Sequence, residues 1–321
     1  MPELTEAAER YGVTAAEMTP LGAFESDVYS FEGPNGPSIL KVIAEEHRSA
    51  EQVMAEVEWL LALNEVGVPV AEPLTAVDGA FVSTLSDPTR VLVAFRRAPG
   101  VTTRPPDWTD ARLESWGEVL GRLHAHSRSW SAPHPRRGTL AEHTYSLHVA
   151  EVVPDDPAFV AAAEQILAAA APLLTHGPGS GLIHADLHHS NMLLHEERWT
   201  AIDFDDCAYG SYAFDLAMPL YYAIFSQRDV PADVAAGRFL PPFLRGFRRH
   251  APDPEGGAEA VALSLSLRHA ELVAALRSKL GTDLDGERWS DPYRRAERSM
   301  RQTVIEGRET LTVAELRRWL A

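Results

Sequence analysis

The chain has 321 residues, 45 % of them hydrophobic and 23 % charged, which suits one large domain or two smaller ones sharing a cleft and excludes a disordered or fibrous chain. Its formal charge of -17 opposes nucleic acid and anionic membranes and favours a cationic substrate or partner, unless it serves solubility alone. A single cysteine, Cys207, excludes an intrachain disulfide, and the lack of an apolar signal core or membrane-length run points to the cytoplasm.

Residues 21–31 and 38–43 read as strands flanking the turn Pro34-Asn35-Gly36-Pro37. Lys41 lies in the second strand. Only Lys41 and Lys279 are lysine among 29 basic residues, so a lysine inside the apolar run SILKVI calls for an explanation. Residues 49–64 carry Val53, Val57, Leu60, Leu61 and Leu63 at helical spacing, with Glu56 and Glu58 on different sides. A proline-bounded extended segment follows at 66–74. Asp78-Gly79 turns the chain into 80–85, and Arg90 to Phe95 reads as another strand. From there the pattern becomes helical: 110–126, 155–175, 211–225, 233–249, 257–279 and 291–319. The order predicts an α+β protein with a small β-rich unit over residues 1–98 and a larger helical unit over 99–321.

The most informative stretch is 181–206, GLIHADLHHSNMLLHEERWTAIDFDD. It predicts an antiparallel hairpin, Asn191 to Leu194 and Thr200 to Ile202, turning at Glu196-Glu197-Arg198. Polar groups enter the first strand and leave the second, ends that an antiparallel pair makes adjacent. Asp186, Asn191 and Asp203 are therefore expected to converge. Phosphoryl transfer needs such a set: one aspartate to orient the acceptor hydroxyl and take its proton, an asparagine and a second aspartate to hold magnesium. Three alternatives stand beside it. His184, Asp186, His188 and His189 could bind a transition metal; Asp203-Phe204-Asp205 after a strand could be an aspartyl-phosphate motif; the acids could be loop caps.

His184, Asp186 and Asn191, followed by Ile202-Asp203-Phe204, resemble the catalytic segment of the aminoglycoside phosphotransferase and choline kinase families, relatives of the protein kinases. Asp215-Leu216-Ala217 resembles the helical motif downstream of it. The resemblance implies a two-lobed protein-kinase-like fold and transfer of the γ-phosphoryl group of ATP, with magnesium, to a hydroxyl. It implies Asp186 as the catalytic aspartate, Asn191 and Asp203 as magnesium ligands, His184 as a residue that hydrogen-bonds the loop backbone, and Asp215 as its brace. Lys41 is similar to the family's phosphate-binding lysine, with Glu56 as salt-bridge partner in preference to Glu58. Gly22 and Ser26 stand where the phosphate loop runs, in the reduced pattern Gly22-Ala23-Phe24-Glu25-Ser26-Asp27. Phe95 to Ala98 stand where backbone groups meet the adenine edge. The resemblance is strongest toward members likened to homoserine kinase or to a stress-response protein kinase.

Asp205 and Asp206 follow the metal aspartate. Asp205 is expected to bind an ammonium on the acceptor or to help with a second magnesium, and Tyr221 and Tyr222 either line the acceptor site or belong to the core. The expected acceptor is a small cationic alcohol: an amino sugar, an amino alcohol or a related antibiotic. A protein hydroxyl is the other acceptor considered, and a silent nucleotide-binding pseudokinase the non-enzyme alternative. A pseudokinase would lose Asp186 or Asp203, and both are present.

Overall fold

The computed structural model describes residues 2–22, 26–131, 137–143, 148–227 and 229–320. In chain order the elements are α1 (Pro2–Arg10), β1 (Thr19–Pro20), β2 (Ser26–Gly33), β3 (Gly36–Ala44), α2 (Ala50–Glu65), β4 (Pro73–Leu74), β5 (Val82–Thr84) and β6 (Arg90–Arg96). Then follow α3 (Asp110–Ser127), α4 (Leu140–His143), α5 (Val149–Val152), α6 (Pro157–Ala170), β7 (Ser180–Ile183), β8 (Met192–His195), β9 (Arg198–Ala201) and β10 (Ala208–Ser211). The chain closes with α7 (Tyr212–Phe225), α8 (Ala232–Phe247), α9 (Gly257–Leu280), α10 (Asp291–Ile305) and α11 (Val313–Leu316).

The chain divides into two compact units. The first comprises Met1–Thr103, Trp130–Arg137 and Ser190–Asp205. The second comprises Arg104–Ser129, Gly138–His189 and Asp206–Ala321. The hairpin β8–β9 thus packs with the N-terminal sheet, although it lies two-thirds along the chain.

In the first unit an antiparallel sheet runs β1-β2-β3-β6-β4, with β5 also on β6. Lys41 pairs with Val28 on one side and Val93 on the other, so β3 is a central strand. The hydrophobic alternation of β3 buries Leu40 and Val42 against Phe31, Leu74 and Leu92; α1 covers this core with Ala7 and Ala8, flanked by Leu4, and Tyr11 joins it just past the helix. The helix α1 was not legible in the sequence, since its apolar face is only Leu4, Ala7 and Ala8 among charged residues. Helix α2 begins where Ser49 and Gln52 exchange side-chain and backbone hydrogen bonds as a capping box.

The second unit is helical, with the two-stranded sheet β10–β7. Helix α7 is buried along nearly its whole length despite Pro219. Helices α3 and α8 lie in backbone contact: a Cβ at Gly117 would meet the Phe243 carbonyl oxygen at 1.9 Å, and one at Gly246 the Glu114 oxygen at 1.8 Å. The helix expected over 291–319 is two helices. It stops before Gly307, whose φ of +61° no continuing helix adopts, and Thr312 with Glu315 caps a new start. No helix among the described residues is long and apolar enough to cross a membrane.

Candidate active site

In the first unit the site is built around Lys41. Its side chain is 10 % exposed, and Nζ lies 2.5 Å from Asp203 Oδ1 and 3.0 Å from Asp205 Oδ1. The Asp203 contact is a hydrogen bond; that to Asp205 is a charge contact at poorer angle. Burial alone would push the lysine pKa down, but Asp205, Asp203 and Glu56 outweigh it and hold the ammonium charged. A lysine on a central strand cannot snorkel to solvent from an edge, so these carboxylates account for its burial.

Both aspartates are delivered by the β8–β9 hairpin. Its register, Met192 to Ala201 through His195 to Arg198, leaves Glu196 and Glu197 as a two-residue turn. Their φ values of 47° and 62° belong to the turn type that matches strand twist and usually selects asparagine or glycine. At the other end the Ile202 amide donates to the Asn191 carbonyl at 3.0 Å, so Asn191 and Asp203 flank one closed end of the hairpin. Asp203 has φ of 65°, a conformation that costs a non-glycine residue about 1 kcal/mol or more and is least costly for Asp and Asn. Phe204 is buried edge-to-face on Trp59 of α2. Arg48 and Arg137 donate to the Asp205 carbonyl, and Arg137 also to that of Phe204. The segment 203–205 is therefore clamped by backbone bonds.

Two expectations need correction here. The ion-pair partners of Lys41 are Asp203 and Asp205, not Glu56 or Glu58. Glu56 is fully buried and faces the Arg137 guanidinium at 3.9 Å. Burial and Asp205 push its carboxyl up to about 7 against the opposing pull of Arg137 and Lys41. Likewise the ammonium that Asp205 holds is the chain's own Lys41, and its carboxyl, which burial would raise, is kept low by Lys41, Arg137 and Arg48. A buried carboxylate already neutralised in this way is not an open receptor for an acceptor's charge.

Gly22 has φ of +71° with open space around it, and Ser26 begins β2 opposite Ile43. The intervening loop residues Ala23, Phe24 and Glu25 lie outside the described residues. Phe95 is buried in β6 with its ring 6.0 Å from Lys41 Nζ. Just beyond it the amides of Arg96 and Arg97 are spent on the carbonyls of Glu72 and Pro37.

In the second unit the loop after β7 carries His184 and Asp186. Asp215, fully buried in the first turn of α7, accepts from the Ala185 amide at 2.8 Å through Oδ1 and from the His184 amide at 3.3 Å through Oδ2, which also meets His124 Nε2 at 2.9 Å. These bonds hold Ala185 at φ of 68°, a left-handed conformation that alanine does not choose unaided. His184 Nδ1 accepts the Asp186 amide at 3.3 Å. His184 and Asp215 are thus the loop's braces.

Asp186 itself is mostly buried. Its Oδ1 accepts from Arg268 Nη2 at 2.5 Å, and Oδ2 lies 3.3 Å from His188 Nε2. Burial would raise its pKa, but Arg268, His188 and His184 together hold it below the ordinary carboxylate value, so it is ionised. Arg268 is held in turn by Tyr222 Oη at 2.9 Å and Glu271 at 3.3 Å. Burial pushes Glu271 up to about 7 against Arg268's pull, helped by Asp206. Tyr221 is a core residue, its hydroxyl on Met300 Sδ, whereas Tyr222 belongs to the Asp186 cluster. Among the described residues no group of three His, Cys, Asp or Glu could hold a metal, which removes support from the histidine-rich metal reading.

Residues 17–258 match the profile of the phosphotransferase enzyme family, APH. The chain belongs to this family. It is 29 % identical over 293 residues to the amicoumacin kinase of Bacillus subtilis (strain 168), covering 88 % of this chain and 87 % of that one. It is 27 % identical over 245 residues to the homoserine kinase of Caulobacter sp. (strain K31), covering 74 % and 73 %. The structure of amicoumacin kinase hAmiN in complex with AMP-PNP, Ca2+ and Ami superposes with a TM-score of 0.86 at 24 % identity, over 98 % of this chain and 96 % of that one. The fold is accordingly the two-lobed, protein-kinase-like α+β fold, with a β-rich N-lobe and a larger helical C-lobe.

In this phosphotransferase, sequence reasoning missed Arg268, Arg137 and Arg48. Each is one arginine among many, and nothing in local spacing sets it apart. Arg268 carried a weak signal: with His269 and Glu271 it breaks an apolar and small-residue stretch of α9, ALSLSLRHAELVAAL.

Proposed function

We propose that this phosphotransferase moves the γ-phosphoryl group of ATP to a hydroxyl of a small cationic molecule, an amino sugar, amino alcohol or related antibiotic. Nucleotide binding is assigned to the lobe of residues 1–98, with catalysis and acceptor binding in 99–321. The observation that carries the reading is the trio around Lys41. A buried ammonium on a central strand shares two aspartates, and one of these stands in a strained backbone conformation with its carboxylate 45 % exposed.

In this reading Lys41 pairs with the nucleotide's phosphates, taking them where it now takes Asp203. Asn191 and Asp203 would hold magnesium: one amide oxygen and one carboxylate flanking the same end of a hairpin are hard donors, few enough to leave that ion its waters. The ion supplies charge neutralisation on the phosphates. Asp186 stays ionised and accepts the acceptor's hydroxyl proton, with His184 and Asp215 fixing its loop. Gly22, Ser26 and the backbone of Phe95 and Ala98 contact the nucleotide, the amides of Arg96 and Arg97 being engaged elsewhere. Support for a cationic acceptor comes from the net charge of -17. One relative is a homoserine kinase, and homoserine is an amino alcohol whose ammonium is balanced by a carboxylate, so it belongs in the test as a zwitterionic acceptor.

The test is a screen of an alcohol and antibiotic panel, including homoserine and amicoumacin, with ATP and magnesium, read by product mass and ADP release. Transfer to a cationic small molecule is the expected result. Transfer only to protein, or nucleotide binding with no transfer to any acceptor, would overturn it.

A further inference from the structure

Within the second unit, residues 105–113, residues 226–230 and helix α8 line a cleft of about 660 Å³. The charged residues of its lining, Asp110, Asp229 and Arg238, are exposed, whereas Leu113 and Phe239 are buried and Trp108 is half-buried. The cleft therefore has an apolar floor and a charged mouth. Trp108 stands edge-on or tilted to the rings of Trp116 and Phe239, so the floor is built of aromatic planes. A volume of this order suits a drug-sized ligand. A molecule the size of homoserine, about eight non-hydrogen atoms at roughly 30 Å³ or less each, would fill about a third of it.

Two routes join this cleft to the Asp186 cluster of the same unit. Along α7, Tyr222 of that cluster and Ser226 of the cleft are four residues apart, so they share a helix face about 6 Å from each other along the axis. The second route is His189. Its ring lies 5.7 Å from that of His188, whose Nε2 is 3.3 Å from Asp186 Oδ2, and 5.9 Å from the ring of Trp108. His189 is 6 % exposed, and neither of its ring nitrogens has a hydrogen-bond partner among the described residues. A buried imidazole left unpaired costs stability, and a polar group of a ligand lying between Asp186 and Trp108 would supply the missing bond.

Resting on the kinase reading above, we infer that this cleft is the subsite for the body of the acceptor, and that the acceptor is a drug-sized alcohol carrying a flat, fused-ring apolar body. The hydroxyl lies at Asp186, a polar linker passes His189, and the ring body enters the cleft beside Trp108 and Phe239, whose planes suit another plane. The size and lining of the cleft thereby choose among the acceptors considered. A small amino alcohol reaches Asp186 but leaves the cleft unfilled. A polyhydroxylated sugar would set hydroxyls against Leu113, Phe239 and the neighbouring prolines, which have no side-chain group to pair them.

The experiment uses two amino alcohols with the same head: alaninol, and naphthylalaninol, which adds a fused ring. Their binding to the parent is measured by NMR titration with neither nucleotide nor metal, which separates it from the kinase reading. Naphthylalaninol is expected to bind about a hundredfold more tightly, the effect of burying roughly 100–120 Å² of ring surface. Trp108→Ala, which removes part of the floor, should cut that ratio at least about tenfold. So should Ser226→Phe, which fills the cleft from an exposed position and takes nothing from the core. Naphthylalaninol should also compete with whichever panel acceptor the parent phosphorylates, raising its KM and leaving kcat unchanged. Equal binding of the two alcohols, a ratio that survives Ser226→Phe, or binding that leaves the acceptor's KM unaltered would overturn the inference. Failure of the kinase reading looks different: no alcohol is phosphorylated, yet the ratio and its loss in Ser226→Phe persist, which keeps the cleft as a fused-ring site.

Discussion

Lys41 and Arg268 are both buried cations on regular elements, and they are held in opposite ways. Lys41 is a point charge on a strand whose two ion-pair partners, Asp203 and Asp205, come from one clamped segment. Arg268 is a planar fork on a helix whose partners come from three segments. An ammonium has no preferred direction, so it can exchange one oxygen for another at little cost. A guanidinium has fixed donor directions, so three acceptors determine its place. The first arrangement suits a residue that must accept a visiting phosphate, the second a residue that must not move. In each, the cation also settles the charge state of its carboxylates: Asp205 and Asp186 both stay ionised although burial opposes it.

The sharpest way to break this comparison is at Asp203. Asp203→Asn removes a metal carboxylate and one partner of Lys41 together. Transfer should fall about a thousandfold or more, the several kcal/mol of a metal's charge stabilisation expressed as rate. Circular dichroism should be unaltered, and activity near the parent's would sink the assignment. Next is Lys41→Ala. It should raise KM for ATP and lower kcat, for a combined loss in kcat/KM of about ten- to a hundredfold, because the lost contact serves ground and transition states alike. Unchanged ATP kinetics would make Lys41 only the counter-charge of Asp203 and Asp205.

On the Arg268 side the expected effect is on stability. Glu271 has its carboxyl pushed up to about 7 by burial. At low pH it is protonated whether the chain is folded or not. As pH rises from its ordinary value of 4.5 toward about 7, the unfolded chain releases the proton first, so folding loses stability over that window and none beyond it. Glu271→Gln carries no such term. Relative to the parent, the variant should therefore gain about 2–3 kcal/mol between about pH 5 and about pH 8, measured by urea unfolding at both. A stability difference flat in pH would mean that Arg268 keeps Glu271 ionised throughout. The smallest effect concerns the acceptor. An alcohol bearing an ammonium should exceed a matched neutral one in kcat/KM by a few-fold at low salt, and the advantage should shrink as salt rises. Equal use of both at every ionic strength would leave only solubility for the net charge.

How far each cation was legible follows from rarity and pattern. Lys41 stood out because lysine is nearly absent from the chain, and its strand is bounded by a proline-glycine turn. The hairpin was legible from two short apolar runs and a charged turn, but Arg198, expected in the turn, pairs with His195 in β9. Helices α2, α3, α7, α8 and α9 followed from apolar spacing, to within a residue or two at most ends. What escaped was long-range pairing. Periodicity places Glu56 on a helix face but cannot say that Arg137, some eighty residues on, takes it in place of Lys41. The pair β7–β10 was not read either: the four residues AYGS of β10 carry almost no strand signal and are held in place by the register with Ser180–Ile183. Arg268 escaped because a lone arginine in a small-residue helix is read as a solvated stem.

The contact between α3 and α8 bears on how this chain can vary. At Gly117, Gly121 and Gly246 even a methyl group would run into main-chain carbonyls of the opposite helix, atoms that cannot swing aside as a side chain can. A saturation library over both helices, sorted for folded protein, should return a sharply uneven profile. The surface arginines and glutamates between them would accept almost any polar letter, whereas these three positions would admit one letter only. Inheritance of this fold is thus constrained in part by three absent side chains, at places where no chemistry occurs.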